Sequence, residues 1–156
     1  VQKQKKKKAK TAEELLIRGK EIGESYGGVA DIHILRPLKG LGQPVFRKLK
    51  SDLAAAYMSV GAVCGVELGA GFSGARQTGT EFHQGGSQGY GGIRGGISTG
   101  ENISFRVAFK PTSSIMDVAK KGRHDPCIVP RAIPVLEAMT YLVLADHLLW
   151  RRLDKV

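Results

Sequence analysis

The sequence predicts an α+β fold, in which helices and antiparallel strands share one core. Apolar residues recur at helical spacing in three segments, residues 12–27, 44–61 and 131–153. Apolar and polar residues alternate in residues 29–35 and 103–109, as in half-buried strands. With two further strands predicted at residues 62–68 and 93–98, helices and strands mix without the regular strand–helix–strand alternation of a parallel sheet. A length of 156 residues is enough for one domain with its own core.

The first helix is predicted to begin after Thr11, because Thr11 and Glu14 have the spacing of a capping box. It should end near Gly27. Residues 29–35 then form a strand with Ala30, Ile32 and Ile34 on one face.

Pro44 has the position of a first-turn proline, so a second amphipathic helix is expected from there to Gly61. Its apolar face would carry Phe46, Leu49, Leu53, Ala56 and Tyr57. Residues 62–68 are predicted to form a short strand.

Residues 69–96 hold eleven glycines, which predicts a loop or flap. A strand around residues 93–98 is expected to pair antiparallel with residues 103–109. The last helix, residues 131–153, should pack through one broad stripe of Ile133, Leu136, Met139, Val143 and Leu149.

The charge is concentrated at the start of the chain. The formal net charge is +10, and six of the first ten residues are lysine. Aromatic residues do not interleave with these lysines, so residues 1–10 are interpreted as a disordered basic tail before a folded region of residues 11–156, rather than as a nucleic-acid surface. An accessory contact between the tail and nucleic acid or an acidic partner stays open as an alternative.

The chain is expected to be cytosolic and without a membrane span. Cys64 and Cys127 are far apart, and no apolar signal segment is recognisable. The most apolar stretch, residues 132–150, is interrupted by Pro134 and by charged residues.

Two strings combine residue types that bind phosphate or carry out acid–base chemistry. FKPTSSI, residues 109–115, places a lysine beside three hydroxyl groups, and KGRHDPCIVPRAIPVLEAM, residues 121–139, places Arg, His, Asp and Cys before an apolar run. Together they indicate a phosphorylated ligand. Asp125 has the alternative role of a helix cap and Cys127 that of a small buried side chain, and the residues lack a second cluster that would complete a metal site.

These two strings, with GGIRGGIS (residues 91–98) and MSVGAVCGVELGAGF (residues 58–72), resemble the C-terminal part of chorismate synthase in sequence and in order. The resemblance implies the β-α-β sandwich of that family. It implies reduced FMN as cofactor and 5-enolpyruvylshikimate 3-phosphate as substrate, which loses phosphate and a ring proton in a trans-1,4-elimination to give chorismate. NADPH would act only indirectly, by reducing the flavin, and a homotetramer would be the assembly.

The same resemblance implies individual roles. Asp125 matches the acidic residue near the reactive flavin nitrogen, where a carboxylate could relay a proton. The cofactor-binding positions of the family fall on Gly61, Ala62, Gly95, Lys110, Pro111, Thr112, Ser113, Ser114 and Arg123. Family members often carry Asn at the position of Gly61.

Family members also have an N-terminal half with two acid–base histidines, which this sequence does not include. We therefore expect the chain to be part of a longer protein. The alternative functions are a catalytically incomplete FMN- or phosphate-binding relative and a basic interaction module that uses the lysine tail.

Overall fold

The computed structural model describes residues 11–116 and 125–153. A three-stranded antiparallel sheet is the centre of this part of the chain. Its strands are β1 (Gly28–Ile34), β2 (Val63–Leu68) and β5 (Ile103–Phe109), in the order β1-β5-β2. A separate two-stranded hairpin pairs β3 (Ile93–Arg94) with β4 (Ile97–Ser98).

Two long helices cover one face of the sheet. They are α2 (Leu49–Met58) and α6 (Val129–Leu153), which contact each other as well as the sheet. Helix α1 (Ala12–Ile22) precedes β1, and the short helices α3 (Gly71–Gly74), α4 (Gly79–Gln84) and α5 (Ser87–Tyr90) connect β2 to the hairpin. The α+β prediction is confirmed.

The central strand β5 explains why one sheet face is buried. Its residues Ile103, Phe105, Val107 and Phe109 are all buried, whereas Arg106 between them is exposed. This is the predicted alternation, since successive side chains of a strand point to opposite faces. The tilted ring of Tyr57 packs edge-on against Phe105, with ring centroids 5.4 Å apart.

Polar contacts also join α2 to α6 beneath this core. The Tyr57 hydroxyl and Thr140 Oγ1 are 2.8 Å apart, and both residues are buried. Nearer the end of α6, the buried His147 places Nε2 3.0 Å from Asp52 Oδ2. These contacts fix the two helices relative to each other, because each one joins side chains from both.

The first helix begins as predicted and ends earlier. The Thr11 hydroxyl accepts a hydrogen bond from the Glu14 backbone N–H, at 3.2 Å. The helix ends at Ile22 rather than near Gly27, because the next residue, Gly23, adopts a left-handed conformation and its N–H bonds to the Gly19 carbonyl.

The predicted start of the second helix is wrong. Pro44 and Phe46 precede α2, which begins at Leu49, and Phe46 is exposed. Arg47 has a positive φ of 60°, and its carbonyl accepts a hydrogen bond from Gln43, so the chain turns here instead of entering a helix. Leu49, Leu53 and Tyr57 do form the buried face of α2.

The glycine-rich segment has more regular structure than predicted. It contains α3, α4, α5 and the β3–β4 hairpin. Residues 93–98 do not pair with residues 103–109, because they pair with themselves, Ile93 with Ser98 and Arg94 with Ile97. The neighbours of β5 are β1 and β2 instead, both antiparallel to it.

The last helix also packs differently from the prediction. Its buried residues are Ala132, Leu136, Thr140 and His147. Two members of the predicted stripe, Ile133 and Leu149, are more than half exposed. By length and composition α6 could cross a membrane, since an 18-residue window within it has a mean hydropathy of 1.4, although the sequence prediction took Pro134 and the charged residues to exclude this. One such helix is weak evidence, since core helices of water-soluble proteins meet the same criterion.

Candidate functional site

The loop of residues 110–114 leaves the end of the central strand β5 and is attached to the sheet at once. The backbone N–H of Lys110 donates to the carbonyl of Ala62, at 2.9 Å. Ala62 lies just before β2 and has a positive φ of 68°, which is uncommon for a residue with a side chain. Two predicted cofactor-binding residues, Ala62 and Lys110, are therefore neighbours in the structure.

Thr112 is the residue that fixes the middle of this loop. Its hydroxyl donates to the Asp125 carbonyl at 3.1 Å, and its own carbonyl accepts from the buried Ser25 hydroxyl at 2.8 Å. One residue further on, the Tyr26 N–H donates to the Pro126 carbonyl at 2.7 Å. The loop after β5, the segment before β1 and the segment before α6 thus meet at one point.

The carboxylate of Asp125 has two partners of its own. Oδ1 accepts from the Cys127 backbone N–H at 3.3 Å, which is the local turn that Asp commonly makes two residues ahead. Oδ2 is 3.1 Å from Arg131 Nε in the first turns of α6. These bonds hold the carboxylate beside α6 without capping its first N–H groups, so the helix-cap alternative for Asp125 is not the observed arrangement.

The donor groups of the loop face solvent. Lys110, Pro111 and Ser113 are exposed, whereas Thr112 and Ser114 are half-buried. An ammonium group and hydroxyl groups at the surface of a fixed loop can donate to phosphate oxygens. Thr112 therefore attaches the loop to its neighbours, and Lys110 and Ser113 present their donor groups to solvent.

The structure places the remaining predicted residues at different distances from this loop. Gly61 is exposed beside Ala62, and a side-chain carbon added to it would meet open space. Gly95 is at the other end of α2, because its neighbour Gly96 accepts from the Leu49 N–H at the helix start. A helix of 10 residues separates them by about 15 Å. Arg123 lies outside the described residues, as does His124.

Three residues of this site were not assigned a role by sequence reasoning. Ser25 and Gly27 precede β1, far from residues 110–114 in the chain, and no local pattern connects them. A Cβ at Gly27 would lie 2.4 Å from the Phe109 carbonyl oxygen, so only glycine allows this close approach. Arg131 was visible inside the string KGRHDPCIVPRA, but its pairing with Asp125 depends on the start of α6.

Three cavities in the described part of the chain are lined by residues other than those of this loop. One, of about 650 Å³, is beside the glycine-rich segment and is lined by residues such as His33, Gln88 and Asn102. Another, of about 470 Å³, lies between β1 and α6. The chemistry of the loop and of Asp125, rather than cavity size, therefore identifies them as the candidate site. No three His, Cys, Asp or Glu side chains in residues 11–116 and 125–153 form a group that could hold a metal ion.

Comparison with known families agrees with the motifs at this site. A family model described as chorismate synthase matches residues 1–149. The chain belongs to the chorismate synthase family. Chorismate synthase from Bdellovibrio bacteriovorus is 68% identical over 92% of the chain, and that from Trichodesmium erythraeum is 44% identical over 87% of it. These matches cover 42% and 43% of the two relatives, so the chain spans less than half of their length.

A solved structure supports the family fold. A protein described as "Crystal Structure of Chorismate Synthase" superposes with a TM-score of 0.74 at 36% identity, over 89% of this chain and 42% of that one. The fold and the family implied by the sequence motifs are therefore confirmed, with the matched region corresponding to the C-terminal part of chorismate synthase.

Proposed function

We propose that this chain forms the flavin- and phosphate-binding part of a cytosolic, homotetrameric chorismate synthase. The reaction would be the reduced-FMN-dependent trans-1,4-elimination of phosphate from 5-enolpyruvylshikimate 3-phosphate, a lyase step of aromatic amino acid biosynthesis. Identity of 68% to a chorismate synthase over 92% of the chain supports this function over that of an incomplete paralogue. The observation that carries the proposal is the hydrogen bond from the Thr112 hydroxyl to the Asp125 backbone carbonyl, which joins the loop of residues 110–114, the donor loop, to the acidic residue.

The residues present fit a flavin phosphate. Lys110 and Ser113 offer exposed donors, and the space in front of Gly61 admits a flat group without a steric clash. We assign Ser114, Pro111 and Ala62 to the walls of the same surface, and Arg123 to a second cationic contact. Gly95 would touch a different part of the ligand, because it lies at the far end of α2. Reduced FMN, when bound, would supply the electron that the family is thought to lend for expulsion of phosphate, with NADPH serving only to reduce it.

Asp125 is proposed to accept and relay the ring proton that the substrate loses. Arg131 and the Cys127 N–H each bond to one oxygen of its carboxylate. Each carboxylate oxygen has a further lone pair, so a proton can still be accepted while both bonds keep the group in place. Arg131 is thus a positioning residue for Asp125. The cationic side chains of Lys110 and Arg123 would bind phosphate oxygens.

The experiment uses a chimera in which this chain replaces the matching 42% of the Bdellovibrio enzyme. The unmodified chimera should bind FMN and form chorismate anaerobically when supplied with reduced FMN. Asp125→Asn should abolish chorismate formation and leave the FMN dissociation constant within about twofold, because it removes charge without changing shape. Asp146→Asn, which changes a carboxylate on the exposed part of α6, is the matched control and should keep full turnover.

Three results would contradict separate parts of the proposal. Turnover by the Asp125→Asn chimera would remove Asp125 from the chemistry. Failure of the unmodified chimera to bind FMN would remove the cofactor assignment of the whole loop. FMN binding without turnover by the unmodified chimera would favour the catalytically incomplete relative.

A further inference from the structure

The hydroxyl of Ser98 is buried in the β3–β4 hairpin, with a partner for its donor and for its acceptor. Only 2% of the residue is exposed. The hydroxyl donates to the Leu38 carbonyl at 2.6 Å and accepts from the Leu41 N–H at 2.9 Å. The backbone bonds to the same segment, because the Ser98 N–H donates to the Leu41 carbonyl and its carbonyl accepts from the Gly40 N–H, each at 2.9 Å. One residue thus ties the hairpin to residues 38–41, which follow β1.

The turn of this hairpin is also fixed to the start of α2. The Gly96 carbonyl accepts from the Leu49 N–H at 2.8 Å. Leu49 is the first residue of α2, so its N–H has no partner within the helix. A Cβ on Gly42 would lie 2.3 Å from the Gly96 oxygen, and a Cβ on Gly96 would lie 2.5 Å from the Lys48 side chain. The backbone of the turn is therefore packed closely against two other segments.

Gly95 lies between these two attachments. Gly96 is the next residue, and Ser98 is three residues further along the chain. Gly95 itself is exposed, has a positive φ of 62°, and has open space where a Cβ would be. A glycine has no side chain that could adjust to a ligand, so the bonds of its neighbours decide where its backbone is presented.

We propose that Ser98 is a positioning residue for the cofactor and acts through the turn that carries Gly95. The inference rests on the proposed function, since contact between Gly95 and FMN is part of it. Loss of the Ser98 hydroxyl would leave the Leu41 N–H and the Leu38 carbonyl without this partner, which weakens the attachment of the hairpin. The turn would then shift, and a binding group needs to be held to within about 0.5 Å.

Hydrogen exchange on the 156-residue chain tests the positioning without any ligand. The Leu49 N–H reports the contact with Gly96, whereas the Asp52 N–H, bonded to the carbonyl of the N-cap residue Lys48 at 3.1 Å, reports the helix itself. Ser98→Ala should raise the exchange rate at Leu49 by about tenfold or more and leave that at Asp52 within about twofold. Equal acceleration of both amides would indicate general destabilisation and overturn the proposal, and so would an unchanged rate at Leu49.

Titration of the chimera with FMN, followed by flavin fluorescence, tests the consequence for the cofactor. Ser98→Ala should raise the FMN dissociation constant by about fivefold, the equivalent of one lost hydrogen bond. Ser98→Cys keeps the volume but offers only a weak donor, so it should have the same effect, and it replaces Ser98→Ala if that variant does not fold.

Ser73→Ala is the matched control, because the Ser73 hydroxyl also donates to a backbone carbonyl, that of Ala70, but on the exposed helix α3. It should leave the dissociation constant within about twofold. The same small change in Ser98→Ala and Ser98→Cys would overturn the role of Ser98 toward the cofactor. Failure of the unmodified chimera to bind FMN would contradict the proposed function instead, and the exchange rates of Leu49 and Asp52 would still decide whether Ser98 positions the turn.

Discussion

The hydrogen bond between Tyr57 and Thr140 gives a stability prediction that depends on which partner is removed. The Tyr57 hydroxyl is buried, and Thr140 is its hydrogen-bond partner, at 2.8 Å. Thr140 has a second bond, from Oγ1 to the Leu136 carbonyl at 2.7 Å. Thr140→Val would therefore leave the buried Tyr57 hydroxyl without a hydrogen-bond partner. Tyr57→Phe would leave the Thr140 hydroxyl bonded to the Leu136 carbonyl.

The expected costs differ accordingly. Thr140→Val should lower the free energy of unfolding by about 1–3 kcal/mol, the cost of a buried group without a partner. Tyr57→Phe should lower it by about 1 kcal/mol, the net value of an ordinary hydrogen bond. The double variant should be less destabilised than the sum by about 1 kcal/mol, because no unpaired hydroxyl remains on Tyr57.

Urea unfolding of the four proteins, followed by circular dichroism, measures these differences. The exposed Tyr141, changed to Phe, is the control and should leave the midpoint unchanged. Additivity of the two single changes to within about 0.4 kcal/mol would refute the reasoning, since it would mean that the two side chains do not interact.

Three further changes test separate features. Burial raises the pKa of Tyr57 above its usual 10.0, and the hydrogen bond to Thr140 opposes the shift. The contribution of Tyr57 to the free energy of unfolding is therefore complete below pH 10 and declines above it, because the unfolded chain loses the proton first. In Tyr57→Phe the free energy of unfolding should decline less as the pH rises above 10. Gly27→Ala should displace the Phe109 carbonyl and weaken FMN binding to the chimera several-fold in a fluorescence titration, and unchanged binding would separate Gly27 from the loop. Hydrogen bonds from the backbone N–H and the hydroxyl of Thr78 lower the pKa of Glu81. Thr78→Ala removes the hydroxyl, so an NMR titration should show a higher pKa of Glu81 that stays below the usual value, because the backbone N–H remains. An unchanged pKa would exclude a role for the hydroxyl.

The elements that the sequence predicted well are those whose pattern is local. Alternation placed the buried face of β5, and helical spacing placed Leu49, Leu53 and Tyr57 on the inner side of α2. The start of α2 was missed because one backbone angle, the positive φ of Arg47, decides it. The partner of residues 93–98 was missed because strand pairing depends on tertiary packing and not on the alternation of either strand alone.

In the candidate site, too, the residues in local motifs were predicted and those from distant segments were not. The motifs located the donor loop and Asp125, since both lie in short strings with distinctive chemistry. They did not locate Ser25 or Gly27, which come from a distant part of the chain and contribute through one hydrogen bond and one close contact. The partner of Asp125, Arg131, required knowledge of where α6 begins.

The position of β5 in the middle of the sheet has a consequence for the thermodynamics of ligand binding. This strand is bonded on both sides, to β1 and to β2, and the donor loop continues directly from its last residue. A loop fixed in this way would lose little conformational freedom on binding the proposed phosphate, because folding of the sheet has already restricted it. The binding enthalpy from Lys110 and the hydroxyl groups would then raise affinity, because little of it would be offset by the entropic cost of ordering the loop.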